Sequence, residues 1–507
     1  MSSSPALPPL IAQMLTADFY PHPVSEPIQL LQTHISFVLL TGEYAYKVKK
    51  PMNFGFLDFS TLAKREFFCQ EEIRLNQRLA PELYLEVIPI TETADGQYHL
   101  GDSGSGSGAV VADYALKMQQ FDQDNLLINL FEKDQLTVDH VQEIGRQLAQ
   151  FHQIAATNDH IATFGTMEAV QQVSHDNYNA TAKYIGIAQE PTWFEQTRAY
   201  TDHFFATQGD LFTQRINQGK IKECHGDAHL KNICLHRGKI QIFDCIEFNE
   251  PFRNSDVLYD AAFLLMDLQF RNRADLANAF LNTYLEYTGD YGGLPLLPLY
   301  CSMRAYVRAK VTSFLLDDPA IPEPVKQNAA TEARAYYQLA WQYTQPNQGK
   351  LIMMCGVSGS GKSTQAKALA IAHQGIHLRS DVIRKHLAGV GLTERNADIY
   401  TPEMTAQTYA KLTELGITLA QGGATVILDA KYDRVALRRA VLEAASKANI
   451  PCEIVFCTAE RDTLIARLNT RSVANQDVSD ATVELLDQQL TSFEPLTTDE
   501  QNFLHHP

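Results

Sequence analysis

The sequence predicts two domains of different class in one chain, an α+β domain followed by an α/β domain with a parallel sheet. Three observations predict this. Strand-like segments gather near the N-terminus and helical patterns fill the middle. Beyond about residue 350 strands and helices alternate, as they do in a doubly wound sheet. A glycine-rich loop, Gly356-Val357-Ser358-Gly359-Ser360-Gly361-Lys362-Ser363-Thr364, joins the first of those strands to a helix. A chain of 507 residues is also too long for one core,.

Taken in order, residues 1–24 are Pro- and Ser-rich and read as a partly ordered lead-in. Ile35–Leu40, a turn at Thr41-Gly42-Glu43, and Tyr44–Val48 read as a hairpin,. Residues 61–79 carry Phe67, Phe68, Ile73, Leu75 and Leu79 at mostly helical spacing,. Two strands follow, Leu83–Ile90 and Ala109–Met118. The Gly/Ser run between them, 101–108, has no Lys and no helix after it, and reads as a flexible hairpin tip,. Val138–His152 has helical periodicity, and helices are expected through most of 166–218 and again from 257 to 344. Thr344-Gln345-Pro346-Asn347-Gln348-Gly349 breaks the pattern and sets a boundary, giving domains 25–345 and 346–507,. Strands are expected at Leu351–Cys355, Ile376–Arg379, Thr425–Leu428 and Cys452–Cys457.

The loop at 356–364 matches G-x-x-x-x-G-K-[ST] in its required context of strand, loop and helix,. Gly356, Gly359 and Gly361 let the backbone N–H groups of the loop, through Ser358 and Ser360, turn toward one anion. The helix that begins at Lys362, Ser363 and Thr364 presents its positive end to the same point. Lys362 can reach β- and γ-phosphates and the Ser363 hydroxyl can ligate Mg²⁺. Such a loop implies ATP with Mg²⁺ as cofactors.

A second constellation lies in the first domain. His225-Gly226-Asp227, then Asn232, then Asp244 at the end of a short strand, follow a kinase-like order. Phosphoryl transfer to a hydroxyl needs a carboxylate near the acceptor proton and acidic or amide metal ligands beside it. Asp227 suits the first task, and Asn232 and Asp244 the second. Upstream, Lys47 on the hairpin and a Glu on the following helix complete the set. Glu72 is preferred, with Glu71 and Glu66 as alternatives.

His225-Gly226-Asp227-Ala228-His229-Leu230-Lys231-Asn232 with Ile242-Phe243-Asp244 resembles the aminoglycoside phosphotransferase and choline kinase branch of the protein-kinase-like fold. The whole chain, from about 25 to 500, resembles a two-domain bacterial family. It joins an aminoglycoside phosphotransferase-like domain to an ATP-binding P-loop domain. Supporting stretches are Tyr46–Pro51, Phe56–Phe59, Leu75–Pro81 and Phe243–Phe248. The resemblance implies a protein-kinase-like (aminoglycoside phosphotransferase-type) N-terminal domain and a P-loop NTPase domain with a parallel sheet. It places Met118 in a hinge beside adenine. No G-x-G-x-x-G is present, so the Thr41-Gly42 tip must cover the phosphates.

The second domain resembles small P-loop kinases. That resemblance implies Asp381 as the base for the acceptor hydroxyl and Arg384 as an acceptor ligand. A helix N-cap at Ser380 or Asp381 is the plainer reading. Asp429 ends a strand as a Walker-B-type acid near Mg²⁺. Arg467 and Arg471, four apart on one helical face, suit a phosphate-stabilising lid,.

The composition is that of a globular protein, 45% hydrophobic and 20% charged, with a formal net charge of −17. That charge argues against a general nucleic-acid or acidic-membrane binder. Eight cysteines without a C-x-x-C pair read as reduced and cytosolic, and a cytoplasmic location is expected,. The expected activity is ATP- and Mg²⁺-dependent phosphotransfer to the hydroxyl of a small-molecule acceptor. Two rivals stand beside it. One is an ATP-binding regulatory protein with one non-catalytic domain. The other is a nucleic-acid-end kinase, kept open by the local basic cluster Arg434, Arg438 and Arg439. The identity of the acceptor and the oligomeric state are not written in the sequence.

Overall fold

Alternating side chains in the N-terminal strands build a six-stranded antiparallel sheet of order β1-β2-β3-β6-β4-β5. The strands are β1 (Gln29–Gln32), β2 (Ser36–Leu40), β3 (Tyr44–Lys49), β4 (Tyr84–Glu92), β5 (Tyr98–Leu100) and β6 (Val110–Gln119). The expected hairpin is β2–β3, with Val38 opposite Lys47. The computed structural model describes residues 7–101, 109–394, 396–474, 483 and 486–505, and of 397 and 471–474 the backbone alone. The tip expected at 102–108 lies outside the described residues. The chain divides into two compact units. One is Met1–His140, Phe151–Val173 and Phe212–Asp267; the other is Val141–Gln150, Ser174–Leu211 and Leu268–Pro507.

In the first unit, period-2 alternation sends Tyr46 and Val48 to one face of the sheet and Ala45, Lys47 and Lys49 to the other. Part of the lead-in packs on the Tyr46 face. Helix α1 (Pro9–Gln13) and the turn after it bury Ile11, Met14 and Tyr20 against Phe37, Leu39, Tyr46, Val48 and Ile90. Helix α2 (Leu62–Asn76) is capped by Thr61, whose hydroxyl accepts from Lys64 N at 3.3 Å. Its buried face differs from the one its aromatics suggested. Arg65, Cys69, Glu72, Leu75 and Asn76 are buried, while Phe67 is 57% exposed. The helix is turned by charge: Arg65 Nε donates to Asp113 Oδ1 at 2.8 Å, and Glu72 meets two lysines.

The same unit holds the pair β7 (Ile221–Glu223) with β10 (Asn254–Asp256), the hairpin β8 (Ile233–His236) with β9 (Lys239–Ile242), the two ends of helix α3 (Val138–Ile154) and residues 257–267 of helix α4 (Val257–Phe270).

In the second unit, helices α5 (Ala274–Thr288), α6 (Leu297–Phe314) and α7 (Glu323–Gln342) precede a four-stranded sheet. Its strands are β11 (Lys350–Cys355), β12 (Ile376–Arg379), β13 (Thr425–Asp429) and β14 (Cys452–Phe456), all parallel, in the order β12-β13-β11-β14. Strand β11 is apolar and buried from Leu351 to Cys355, as a central parallel strand must be,. Helices α8 (Lys362–His373), α9 (Ser380–Ala388), α10 (Pro402–Gln421), α11 (Val435–Lys447), α12 (Arg461–Ala474) and α13 (Leu486–Ser492) complete it. The stretch 344–349 lies inside this unit. All eight cysteines are free. Among the described residues no helix is long and apolar enough to cross a membrane.

Candidate active sites

Strand β3 carries Lys47 and Lys49 two residues apart, so both ammonium groups face α2. Lys47 Nζ donates to Glu72 Oε1 at 2.7 Å and to Asp244 Oδ1 at 2.8 Å. Lys49 Nζ donates to Glu72 Oε2 at 2.5 Å and also to Glu247 Oε1. Glu72 is therefore the helix glutamate of the expected pair, and Glu66 and Glu71 are not. Two cations and three carboxylates form one chain. Burial opposes the charge on Lys47, but Asp244 and Glu72 outweigh it and hold the amine well above its usual range. Burial likewise opposes ionisation of Glu72, and the two lysines more than reverse this. Burial lifts Glu247 above the carboxylate range despite Lys49. Asp244 is held below its usual value: burial opposes its charge and the Lys47 ammonium overrides burial. Its side chain keeps 45% of its surface exposed, so the ion pair rather than enclosure sets its state. Asp244 has a positive φ of 62°, and its N–H donates to the Tyr84 hydroxyl at 3.2 Å.

The loop holding Asp227 is pinned from below by Asp260, a fully buried acid in the mostly apolar α4. His225 N donates to Asp260 Oδ2 at 3.2 Å and Gly226 N to Oδ1 at 2.7 Å. His152 Nε2 lies 3.0 Å from the same carboxylate. One turn-pair later in α4, Asp267 accepts from Leu230 N at 3.0 Å. Gly226 has φ 86°, and a Cβ there would lie 2.9 Å from Phe252 O, so only glycine fits,. Asn232 Nδ2 donates to Asp227 Oδ2 at 2.9 Å, and His229 Nε2 lies 3.5 Å from that oxygen. Sequence reading missed Asp260 and Asp267; two carboxylates seven apart in an apolar helix were the available signal. His152, Cys224 and Asp260 come close enough to suggest a metal trio. The Asp260 oxygens already accept from two backbone N–H groups, so the trio is structural. Met118 is buried near the end of β6, paired with Ala45 and Tyr84. The oxygen donors of Asn232 and Asp244 suit a hard cation such as Mg²⁺.

In the second unit β11 delivers the chain into the glycine-rich loop at its carboxyl end, where β11 lies between β13 and β14. Ligands bind at such a switch in an open parallel sheet. Gly356, Gly359 and Gly361 have φ of 140°, 80° and 95°. A Cβ on Gly356 would lie 2.2 Å from Cys457 O. Lys362 Nζ donates to Val357 O at 2.8 Å, curling over its own loop. Ser360 Oγ is buried and has no hydrogen-bond partner among the described residues. Ser363 is half-buried and Thr364 exposed at the start of α8. Ser358 N donates to Gln489 Oε1 of α13 at 3.0 Å, a contact sequence reading did not anticipate. Arg467 Nη1 donates to Gly359 O at 3.3 Å, which puts it against the loop. The side chain of Arg471 lies outside the described residues.

Asp429 ends β13, is 5% exposed, and has His377 Nε2 3.0 Å from its Oδ2. Burial opposes its charge, but His377, with Arg379 and Lys362 nearby, holds the carboxyl well below its usual range. Asp381, in the first turn of α9, pairs with Arg384: Nη1 donates to Oδ1 at 2.9 Å, and the guanidinium lies over the Tyr400 ring. The two are thus brought together, and the loop residues, Lys362 and Asp429 form a second group. The basic cluster at 434–439 is corrected. Arg438 is fully buried, bidentate to Glu500 at 2.8 and 3.0 Å, and donates to the carbonyls of Tyr432 and Pro495. It is a structural strut for the C-terminal segment, not a surface phosphate contact.

Comparison with known proteins gives two successive regions. Residues 67–297 match the model described as a phosphotransferase enzyme family, and residues 351–496 the model described as an AAA domain. Uncharacterized protein Rv2004c of Mycobacterium tuberculosis is 30% identical over 471 residues, spanning 92% of this chain and 90% of its own. Uncharacterized protein Mb2027c of Mycobacterium bovis gives the same figures. Among solved structures, a choline/ethanolamine kinase family protein from Mesorhizobium loti is 12% identical, covering 66% of this chain and 98% of that one, with a TM-score of 0.39. A gluconokinase from Sinorhizobium meliloti 1021 is 22% identical, covering 30% and 78%, with a TM-score of 0.21. With two kinase-like regions in this order and a relative matched along nearly its full length, the chain belongs to the two-domain family that joins a phosphotransferase-enzyme domain to a kinase-like P-loop domain.

Proposed function

We propose that the protein is an ATP- and Mg²⁺-dependent phosphotransferase with two nucleotide sites, passing the γ-phosphate to a hydroxyl of a small-molecule acceptor. The observation that carries this is Lys47 bridging Glu72 and Asp244, 2.7 and 2.8 Å away. A relic of the fold has no need of a buried, charge-balanced lysine joined to a half-exposed acid. In the first site Lys47 faces the phosphates, held by Glu72. Asn232 and Asp244 hold the metal, and Asp227 accepts or orients the acceptor hydroxyl proton. Met118 lies at the adenine side. In the second site the loop of Gly356, Ser358, Gly359, Ser360 and Gly361 cradles phosphate, with Lys362 and Thr364 beside it; Gly356 N donates to Lys431 O at 2.9 Å, so that amide is not one of the donors, and the Ser358 amide must exchange Gln489 Oε1 for phosphate. Ser363 and Asp429 hold the metal, Asp381 takes the acceptor proton, Arg384 holds the acceptor, and Arg467 and Arg471 steady the transferred group. Bound Mg²⁺ neutralises phosphate charge as it moves to the acceptor.

The test is transfer of label from γ-labelled ATP into a small-molecule extract by the full-length protein and its Lys362→Ala and Asp227→Asn variants. Labelled products lost selectively in one variant or the other are expected. Wild-type protein that labels nothing above a heat-denatured control, or products indifferent to both substitutions, would exclude the proposal.

A further inference from the structure

Strand β12 is the edge of the parallel sheet, and an uncovered edge invites wrong pairing,. Helix α5 covers it with a polar stripe. Asn278, Asn282 and Glu286 recur every four residues and so share one face,. Asn278 Nδ2 and Asn282 Nδ2 donate to Gly375 O at 2.9 and 3.1 Å. Asn282 Oδ1 accepts from His377 N at 2.8 Å. Glu286 Oε1 lies 3.4 Å from Arg379 Nη1, and Glu286 O accepts from His386 Nε2 at 2.7 Å. Asparagine is a weak helix former, and two inside one helix need a reason. Here each supplies a hydrogen bond that continues the ladder beyond the last strand.

The stripe ends at the metal acid. Asn282 fixes the backbone of His377, and the His377 ring, 2% exposed, reaches Asp429. Among the described residues only Oδ2 of Asp429 is taken, so the carboxylate is held by one oxygen with the other turned elsewhere. Glu286 also pairs with Arg379, a cation near Asp429. We propose that Asn282 and His377 are positioning residues for divalent-cation binding at the P-loop site. Helix α5, outside residues 346–507, thereby sets the geometry of Asp429. This rests on the P-loop reading above. Partners that orient a metal ligand typically change metal affinity 10- to 100-fold when removed.

The test uses the full-length protein with Asn232→Ala and Asp244→Ala, which remove the metal ligands of the first site. Mn²⁺ with ADP is the probe, read by electron paramagnetic resonance, and metal-free ADP binding is measured separately in chelator. His377→Ala is expected to weaken Mn²⁺ binding by ~10- to 100-fold, with metal-free ADP affinity little changed. Asn282→Ala is expected to weaken it in the same sense by less. His377→Gln, whose amide nitrogen can stand near the position of Nε2, is expected to recover most of the loss. Folded Ala variants with unchanged Mn²⁺ affinity overturn the inference. So does a parallel loss of Mn²⁺ binding, metal-free ADP binding and thermal stability that Gln does not rescue, since that is a purely structural role. If the background protein shows no Mn²⁺–ADP signal that Lys362→Ala removes, the P-loop reading itself fails and takes the inference with it.

Discussion

Asp227 and Asp244 are chemically alike, and their neighbours make them different. Asp244 is tied to Lys47, whereas Asp227 among the described residues meets the neutral amide of Asn232 and the ring of His229. Their replacements should therefore fail differently when the P-loop site is silenced by Lys362→Ala. Asp244→Ala removes a metal ligand and leaves Lys47 with Glu72 alone, so metal-dependent ATP binding should fall with turnover. Asp227→Asn should leave ATP binding nearly intact while turnover drops by ~10²–10⁴-fold, the range for positioned acid–base groups. Calorimetry beside single-turnover kinetics checks both, and full turnover in Asp227→Asn is incompatible with the mechanism. Residues inside motifs were legible because spacing along the chain carries their chemistry. Lys49 was not, because Tyr46-Lys47-Val48-Lys49-Lys50 reads as a charged surface run. Strand alternation was the usable clue, since 47 and 49 must share a face. Lys49 sits 2% exposed between Glu72 and Glu247. Lys49→Met should thus cost about 3–5 kcal/mol in denaturant unfolding by leaving the Glu247 carboxyl buried without its lysine. Adding Glu247→Gln should recover part of that loss, the coupling expected of direct contacts.

At the scale of elements, α2 was legible as a helix and its inward face was not. Periodicity of Phe67, Phe68, Ile73 and Leu75 pointed one way, and long-range charge partners turned the helix another. Its C-terminal half is clamped to β7. Arg74 Nη2 donates to Glu223 Oε1 at 2.8 Å, Arg78 Nη1 to Oε2 at 3.1 Å, and Arg253 Nε to Oε1 at 3.2 Å. Glu223 directly precedes Cys224 and His225, so this clamp joins the helix of Glu72 to the strand that feeds Asp227. Burial raises the Glu223 carboxyl, and the three guanidinium groups reverse this and bring it down to about 2. A group depressed in the folded state stabilises above its unfolded value, about 4.3. That stability is lost as pH falls through the folded value. Glu223→Gln should therefore be less stable than wild type at neutral pH by on the order of 2 kcal/mol. The gap should close between roughly pH 4.5 and pH 2, the window between the two values. Chemical denaturation across that range measures it. A gap independent of pH would mean that packing, not charge, holds α2.

For the whole molecule, the order of fold classes was legible because local periodicity changes along the chain, from strands to helices to alternation. Thr344–Gly349 reads as a boundary because Pro, Asn and Gly break the helix there; the family matches, 67–297 and 351–496, fall on either side of it, while the second compact unit runs through it. The bonds from Asn278 and Asn282 to the 375–377 backbone span nearly a hundred residues, and no local signal announces them. A cut at 345/346 therefore uncovers strand β12. Three hydrogen bonds go with it, each worth about 0.5–1.5 kcal/mol net, so 346–507 should be less stable than 268–507 by roughly 2–4 kcal/mol. The bare edge should also pair with itself. Sedimentation velocity and thermal melts of the two fragments separate the outcomes. The longer one should be monomeric and melt higher, and the shorter should melt lower and associate with rising concentration. If 346–507 is monomeric and melts with 268–507, the stripe on α5 merely touches the sheet. The boundary then belongs at 346, and Asp429 is oriented from within its own domain.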